Sequence, residues 1–148
     1  MKHMLLGIGN RLNRDDAAGS VLAEEFNATG WVVVDGGQMP ENYTGVVKRE
    51  RPGVLVIVDA TGMDVEPGEI RRIPLEKIAT SSLFNTHAAP PSVFISYLGS
   101  FVEKIYFIGI QPENTSPGEG ISEKVRTGMD RLKTILERKD MESILQLD

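Results

Sequence analysis

The chain has no cysteine, which removes disulfide frameworks, thiolate zinc sites and cysteine nucleophiles together. That absence fits a reducing compartment, and the expected location is cytoplasmic. Histidine is nearly as scarce, with His3 and His87 as the only two. No apolar run approaches the roughly 20 residues of a membrane span. The opening stretch from Met1 to Gly9 is too short and too soon interrupted for a signal peptide. A soluble protein without a membrane partner is expected. Positive charge is also in deficit: 16 Lys and Arg face 21 Asp and Glu, for a formal net charge of −5. A nucleic-acid partner ordinarily requires a basic face, so none is expected. Lys48, Arg49 and Arg51 do cluster, but Glu50 interrupts them, as on a solvated helix face. There is no internal repeat, linker or composition break, and the 148 residues read as a single domain, 1–148.

What is present is a set of short, continuous apolar runs: Met4-Leu5-Leu6, Trp31 to Val34, Val54 to Val58 and Ile105 to Ile110. Continuous rather than alternating runs suit strands buried on both faces, as in a parallel sheet covered by helices. Between them lie stretches of helical spacing. Ala18, Val21, Leu22 and Phe26 fall on one stripe; Ile121, Val125, Met129, Leu132 and Leu136 form another. A further helix is expected over Glu41 to Arg51. Pro90-Pro91 can open another at its first turn, continued by Phe94, Leu98 and Phe101. Pro67-Gly68 turns the chain into a short edge strand within Glu69 to Ile73. Ala79 to Ala89 and Gln111 to Gly120 read as loops, and Met141 to Asp148 fits either a last helical turn or a frayed end. Strand alternating with helix gives an α/β layer fold, a mostly parallel sheet with helices on both faces.

In such a fold, ligands bind beyond the carboxyl ends of the strands. Three polar side chains are expected there. Asp16 follows the first strand, Asp59 ends the third, and His87 lies in a long loop before a later helix. Two carboxylates and an imidazole make a plausible ligand set for a divalent metal. Each has a bland reading. Asp15 or Asp16 can simply cap a helix, Asp59 can anchor a loop, and a lone loop histidine is usually incidental. Asp35-Gly36-Gly37, after the second strand, is weak alone, because an aspartate and two glycines suit any turn. Gly7-Ile8-Gly9-Asn10 is a glycine turn after a strand, but Leu12 stands where a dinucleotide fingerprint needs a third glycine. The acidic pair at the expected helix start also discourages a pyrophosphate. No Gly-x-Ser-x-Gly elbow surrounds Ser81, Ser82 or Ser92. Gly109-Ile110-Gln111-Pro112 leaves the last strand at the same expected edge.

At these residues the chain resembles the nickel–iron hydrogenase maturation endopeptidases. The branch it looks most like processes the hydrogenase-3-type large subunit of formate hydrogenlyase complexes. The likeness runs through Gly7-Ile8-Gly9-Asn10, Asp15-Asp16, Trp31 to Gly37, Pro40-Glu41-Asn42, Ile57 to Thr61, Pro67 to Arg71, Thr86-His87 and Gly109 to Pro112. The order and spacing of these pieces make it specific. The resemblance implies a three-layer fold with a five-stranded twisted sheet. It implies metal contacts at Asp16, Asp59 and His87, with glutamate in some relatives where Asp16 stands here. It also implies a part for Asp35 in cleavage or substrate recognition. The reaction implied is one peptide-bond hydrolysis, in which the nickel-loaded precursor of a hydrogenase large subunit loses a C-terminal extension. The nickel arrives with the substrate and serves as its recognition element, although another divalent metal could occupy the same site in vitro. The precursor is the expected partner and the enzyme is expected to be monomeric. Two other readings compete: a non-catalytic metal- or nucleotide-binding module on the same architecture, and a peptidyl-tRNA-hydrolase-like esterase. The second lacks both a histidine near the first turn and a basic face.

Overall fold

The protein, as a computed structural model, is described over residues 1–78 and 91–148. Its frame is a five-stranded sheet made of β1 (His3–Ile8), β2 (Trp31–Gly37), β3 (Val54–Ala60), β4 (Ile70–Arg72) and β5 (Lys104–Ile110). The spatial order is β2-β1-β3-β5-β4. β1 pairs in parallel with β2 and with β3, and β3 pairs in parallel with β5. Only β4, on the outer side of β5, runs antiparallel.

The apolar runs become strands because helices cover both faces. On one face Leu5, Val56, Val58, Ile108 and Ile110 pack with Leu22 of α1 (Ala18–Glu25) and with Val125, Met129, Leu132 and Leu136 of α5 (Glu123–Glu137). On the other, Met4, Leu6, Leu55, Ile57 and Phe107 meet Val47 of α2 (Thr44–Glu50), Ile78 of α3 (Leu75–Ile78) and Ile95 and Leu98 of α4 (Pro91–Gly99). The alternation of side chains along each strand divides every run between these two cores. β3 is buried from Val54 through Asp59. β2 departs from the expectation of a fully buried strand. Trp31 and Val33 reach one core and Val32 and Val34 the other, but all four are only half-buried. The reason is position: β2 is the outermost parallel strand, so its free edge remains open to water.

Four local details differ from, or add to, the sequence expectation. The helix foreseen over Glu41 to Arg51 is broken into a 3-10 turn, Pro40–Tyr43, and α2, because Tyr43 leaves helical geometry at φ −107° and ψ 9°. α2 stops where Arg51 turns left-handed at φ 46°. α3 is a single turn that the sequence pattern did not mark. The tail is not frayed; of the two expectations, the last helical turn is met in its first three residues. After a 3-10 turn at Met141–Ser143 it lies beside β4, where Arg72 donates its N–H to Leu145 O and accepts from Leu147 N, each at 2.8 Å. The loop expected at 79–89 falls outside the described residues, as does Pro90. Among the described residues no helix is long and apolar enough to cross a membrane.

A very close junction in the fold lies between α1 and the sheet. A Cβ on Gly19 would run into Ile8 O of β1 and Val58 O of β3, and one on Gly7 would run into Gly19 O. Glycine at these positions lets the helix backbone rest directly on two strand backbones. Gly19→Ala should therefore destabilise the fold by roughly 2–3 kcal/mol or more, as forced overpacking does. Gly45→Ala in α2, where nothing lies within 4 Å of the added carbon, should stabilise by about 0.5–1 kcal/mol. Urea unfolding of the two variants should give midpoint shifts of opposite sign.

Candidate functional site

The chain leaves β1 for β2 on one side and returns to β3 on the other, so the direction of winding reverses between β1 and β3. In open α/β sheets the crevice at such a point, outside the carboxyl ends of the strands, is where ligands bind. Asp16 and Asp59 flank it, one from the segment after β1 and the other from the end of β3.

Between β1 and α1 the chain makes a compact loop and then a 3-10 turn, Arg14–Ala17. Asn10 holds the loop with its side-chain oxygen, which accepts from Leu12 N at 2.9 Å. Its own N–H donates to Asp16 O at 3.0 Å, while Gly9 N donates to Gly37 O at the end of β2. In a 3-10 turn, side chains three apart eclipse and the two between them point elsewhere, so the turn has three faces. Arg14 and Ala17 share one, lining an open groove of about 470 Å³ with Arg11, Val21, Ile121 and Arg126. Asp15 occupies the second and Asp16 the third. Neither aspartate caps the turn or α1 through its side chain, so the capping reading is set aside.

The doublet divides into two unlike residues. Asp15 has 0% exposure. It accepts from Glu113 N, Asn114 N and Ser122 Oγ at 2.9 Å each and from Ser122 N at 2.7 Å. Burial alone would push its pKa up, but these hydrogen bonds outweigh that and hold the carboxyl below the usual range. Asp16 is half-buried, and burial raises its pKa. Asp59 is 4% exposed. Burial, and after it the negative charge of Asp16, push its carboxyl well above the ordinary 3.8, against a hydrogen bond from Ala60 N–H. A buried carboxylate whose proton affinity is raised further by a neighbouring carboxylate is relieved by a cation held between them, which replaces repulsion with attraction.

Asp35 lies within β2, opposite Gly7, where the pairing slips so that Ile8 meets Gly37. Its environment is the reverse of that of Asp59. Burial raises its proton affinity, but Arg11, Ser20 and Gly37 N–H lower it further, and the net effect is downward. Arg11 Nη2 sits 2.9 Å from Asp35 Oδ2, and its Nη1 is 3.0 Å from Glu24. Arg11 and Ser20 carried no motif signal, because an arginine in a polar loop and a serine in a helix are unremarkable until the fold sets them beside Asp35.

Other polar groups have local duties. Gln111 Oε1 accepts from Met63 N at 2.6 Å, tying the segment after β3 to the end of β5. His3 begins β1, at the opposite edge of the sheet. It is buried against Trp31 with ring centroids 5.0 Å apart, and it takes no part in the crevice. His87 lies outside the described residues. Among the described residues no group of three His, Cys, Asp or Glu side chains could hold a metal ion; Asp16 and Asp59 supply two oxygen-bearing positions.

The architecture and sequence both have close counterparts. The family model described as hydrogenase maturation protease, HycI, matches residues 18–139. The hydrogenase 3 maturation protease of Escherichia coli K12 is 42% identical over 116 residues, covering 76% of this chain and 74% of that protein. A crystal structure of a hydrogenase 3 maturation protease superposes with a TM-score of 0.91 at 33% identity, covering 100% of this chain and 97% of the other. The solution structure of the endopeptidase HycI from Escherichia coli gives 0.88 at 34%, with the same coverage. With the match spanning the sheet, both helical layers and the crevice, the chain belongs to the hydrogenase maturation proteases, a family of peptide-bond hydrolases.

Proposed function

We propose that this protein removes a C-terminal extension from the nickel-loaded precursor of a nickel–iron hydrogenase large subunit. The observation that carries this reading is the carboxylate pair Asp16–Asp59 at the winding reversal of a chain in the maturation-protease family. Nickel enters as part of the substrate. Asp16, Asp59 and His87 are the contacts assigned to it, two carboxylates and an imidazole that complete a coordination shell begun by the precursor's own ligands. Geometry rather than raw affinity then selects the metal. A metal so held polarises the scissile carbonyl or makes a bound water more acidic. The same donors would accept other divalent ions in vitro. The location assigned is the cytoplasm and the working form a monomer.

Asp35 is assigned to substrate recognition at the rim. A general base works best when its pKa lies near the operating pH, and the Arg11 pairing moves Asp35 the other way. Its ionised carboxylate, oriented by Arg11, is suited instead to accept hydrogen bonds from an extended peptide laid along the outer edge of β2. The reading as a nucleotide-binding module is opposed by Asp16 and Asp59, which face the crevice where phosphates would sit.

The direct test is intact-mass analysis of a hydrogenase large-subunit precursor incubated with the protein. Nickel-loaded precursor should lose its C-terminal extension and nickel-free precursor should not. Trimming of both would remove nickel from recognition while leaving the peptidase in place. His87→Ala should abolish cleavage, since His3 is at the far edge and no other histidine can substitute. Full activity in that variant would exclude His87 as a required contact. Asp35→Asn should raise KM for the precursor by about tenfold with kcat largely kept, the pattern of lost uniform binding. A lost kcat at unchanged KM would instead make Asp35 a general base in the cleavage step.

The raised pKa of Asp59 also fixes a sign. The folded state holds this proton more tightly than the unfolded chain, so stability falls as pH rises from about 3.8 through the folded-state pKa. Asp59→Asn should abolish cleavage yet unfold at higher denaturant than the native protein at pH 7, with the difference shrinking as the pH is taken below 4. A variant that is less stable at every pH would show that the buried charge is not a burden on the fold.

A further inference from the structure

The fate of Asp15 is unlike that of any other acidic group among the described residues. Among the described residues it is the one carboxylate with no exposed surface, and all four of its hydrogen bonds go to the segment between β5 and α5, 98 to 107 residues away in sequence. Ser122, immediately before α5, does not cap its own helix with its hydroxyl; the hydroxyl and the N–H both turn to Asp15. The backbone repeats the attachment. Arg14 N donates to Gly118 O at 3.0 Å, Asp15 N to Asn114 O at 3.1 Å, and Gly118 N to Leu12 O at 2.9 Å. Residues 12–15 are thus pinned to 113–122 on one side, while the Asp16 N–H and C=O are fixed within the loop through Asn13 and Asn10.

We propose that Asp15 is a positioning residue: its carboxylate fastens the turn that carries Asp16 to the β5–α5 segment and thereby sets where Asp16 stands relative to Asp59. The proposal rests on the reading of Asp16 and Asp59 as site residues. In a 3-10 turn a step of one residue is a rotation of about 120°, so fixing the Asp15 face fixes the direction in which Asp16 points. The four donors converge on a group that can only accept. An amide in its place would turn a donor toward at least one of them, and that face of the turn would be pushed off its seat. The β5–α5 segment, which carries no metal-contacting residue of its own, becomes part of the site through this one side chain.

The test uses Asp15→Asn and, as a milder variant, Ser122→Ala, which removes the hydroxyl bond and keeps the Ser122 N–H. Both are compared with the native protein at a temperature where circular dichroism shows all three folded. With nickel-loaded precursor, Asp15→Asn should lower kcat roughly tenfold to a hundredfold, as expected when a reacting geometry is displaced, with KM within about threefold. Ser122→Ala should fall between it and the native protein. In amide NMR spectra of the protein alone, both variants should shift Asp16, Ala17, Asp59 and Ala60 while leaving α2 and α4 in place. A folded Asp15→Asn with native kcat and unmoved Asp16 and Asp59 resonances, only easier to unfold, would overturn the proposal. If Asp15→Asn does not fold, Ser122→Ala decides by the same criteria. If the native protein trims no precursor, the functional reading fails, and the resonances still decide whether Asp15 positions Asp16.

Discussion

The contact on which the rest depends is the seating of α1 on the backbones of β1 and β3. Gly19 lies against Ile8 O and Val58 O, and Gly7 against Gly19 O. No side chain intervenes, so the distance between helix and sheet is set by main-chain atoms, which cannot yield as a side chain can. The turn that precedes α1 inherits that precision. Asp16 comes to the mouth of the crevice because the helix behind it has no room to slide, and Asp59 is there because it is the next residue after Val58. The carboxylate pair thus follows from two missing methyl groups as much as from the two aspartates.

The electrostatics of the crevice separate three aspartates that look alike on paper. Asp15 is stabilised as an anion by four donors, Asp35 by a guanidinium, and Asp59 by little that offsets its burial. Buried charge without compensation is costly, and such residues tend to mark functional sites. The fold carries the burden of Asp59 at the point where a cation from a substrate would relieve it. Asp15 and Asp35, already satisfied, have nothing comparable to gain from a metal.

Much of this was legible in the sequence because burial on both faces leaves a plain trace. The valine-rich run of β3 and the stripe of α5 announced themselves, and Asp59 stood out as a charge ending the most apolar strand. The positions that were not legible depend on partners far along the chain. Val32 and Val34 look as buried as Val56, and only the strand order reveals that β2 is outermost. Asp15 and Asp16 are adjacent and identical in kind, and no local pattern says which faces Ser122 and which faces Asp59. Arg11 became meaningful only once β2 brought Asp35 beside it. Short-range periodicity reports how a segment meets the core; it carries no information about which loop leans on which.

The tail that follows α5 has a consequence of another kind. By exchanging hydrogen bonds with Arg72 it occupies the outer side of β4, with Glu142 2.8 Å from the Arg72 guanidinium. A strand with a bare flank is a template onto which foreign chains can add. The last residues therefore act as a selvedge, finishing that border of the fabric so that it does not unravel onto a neighbour. Clipping them would leave the crevice chemically intact and make the molecule sticky.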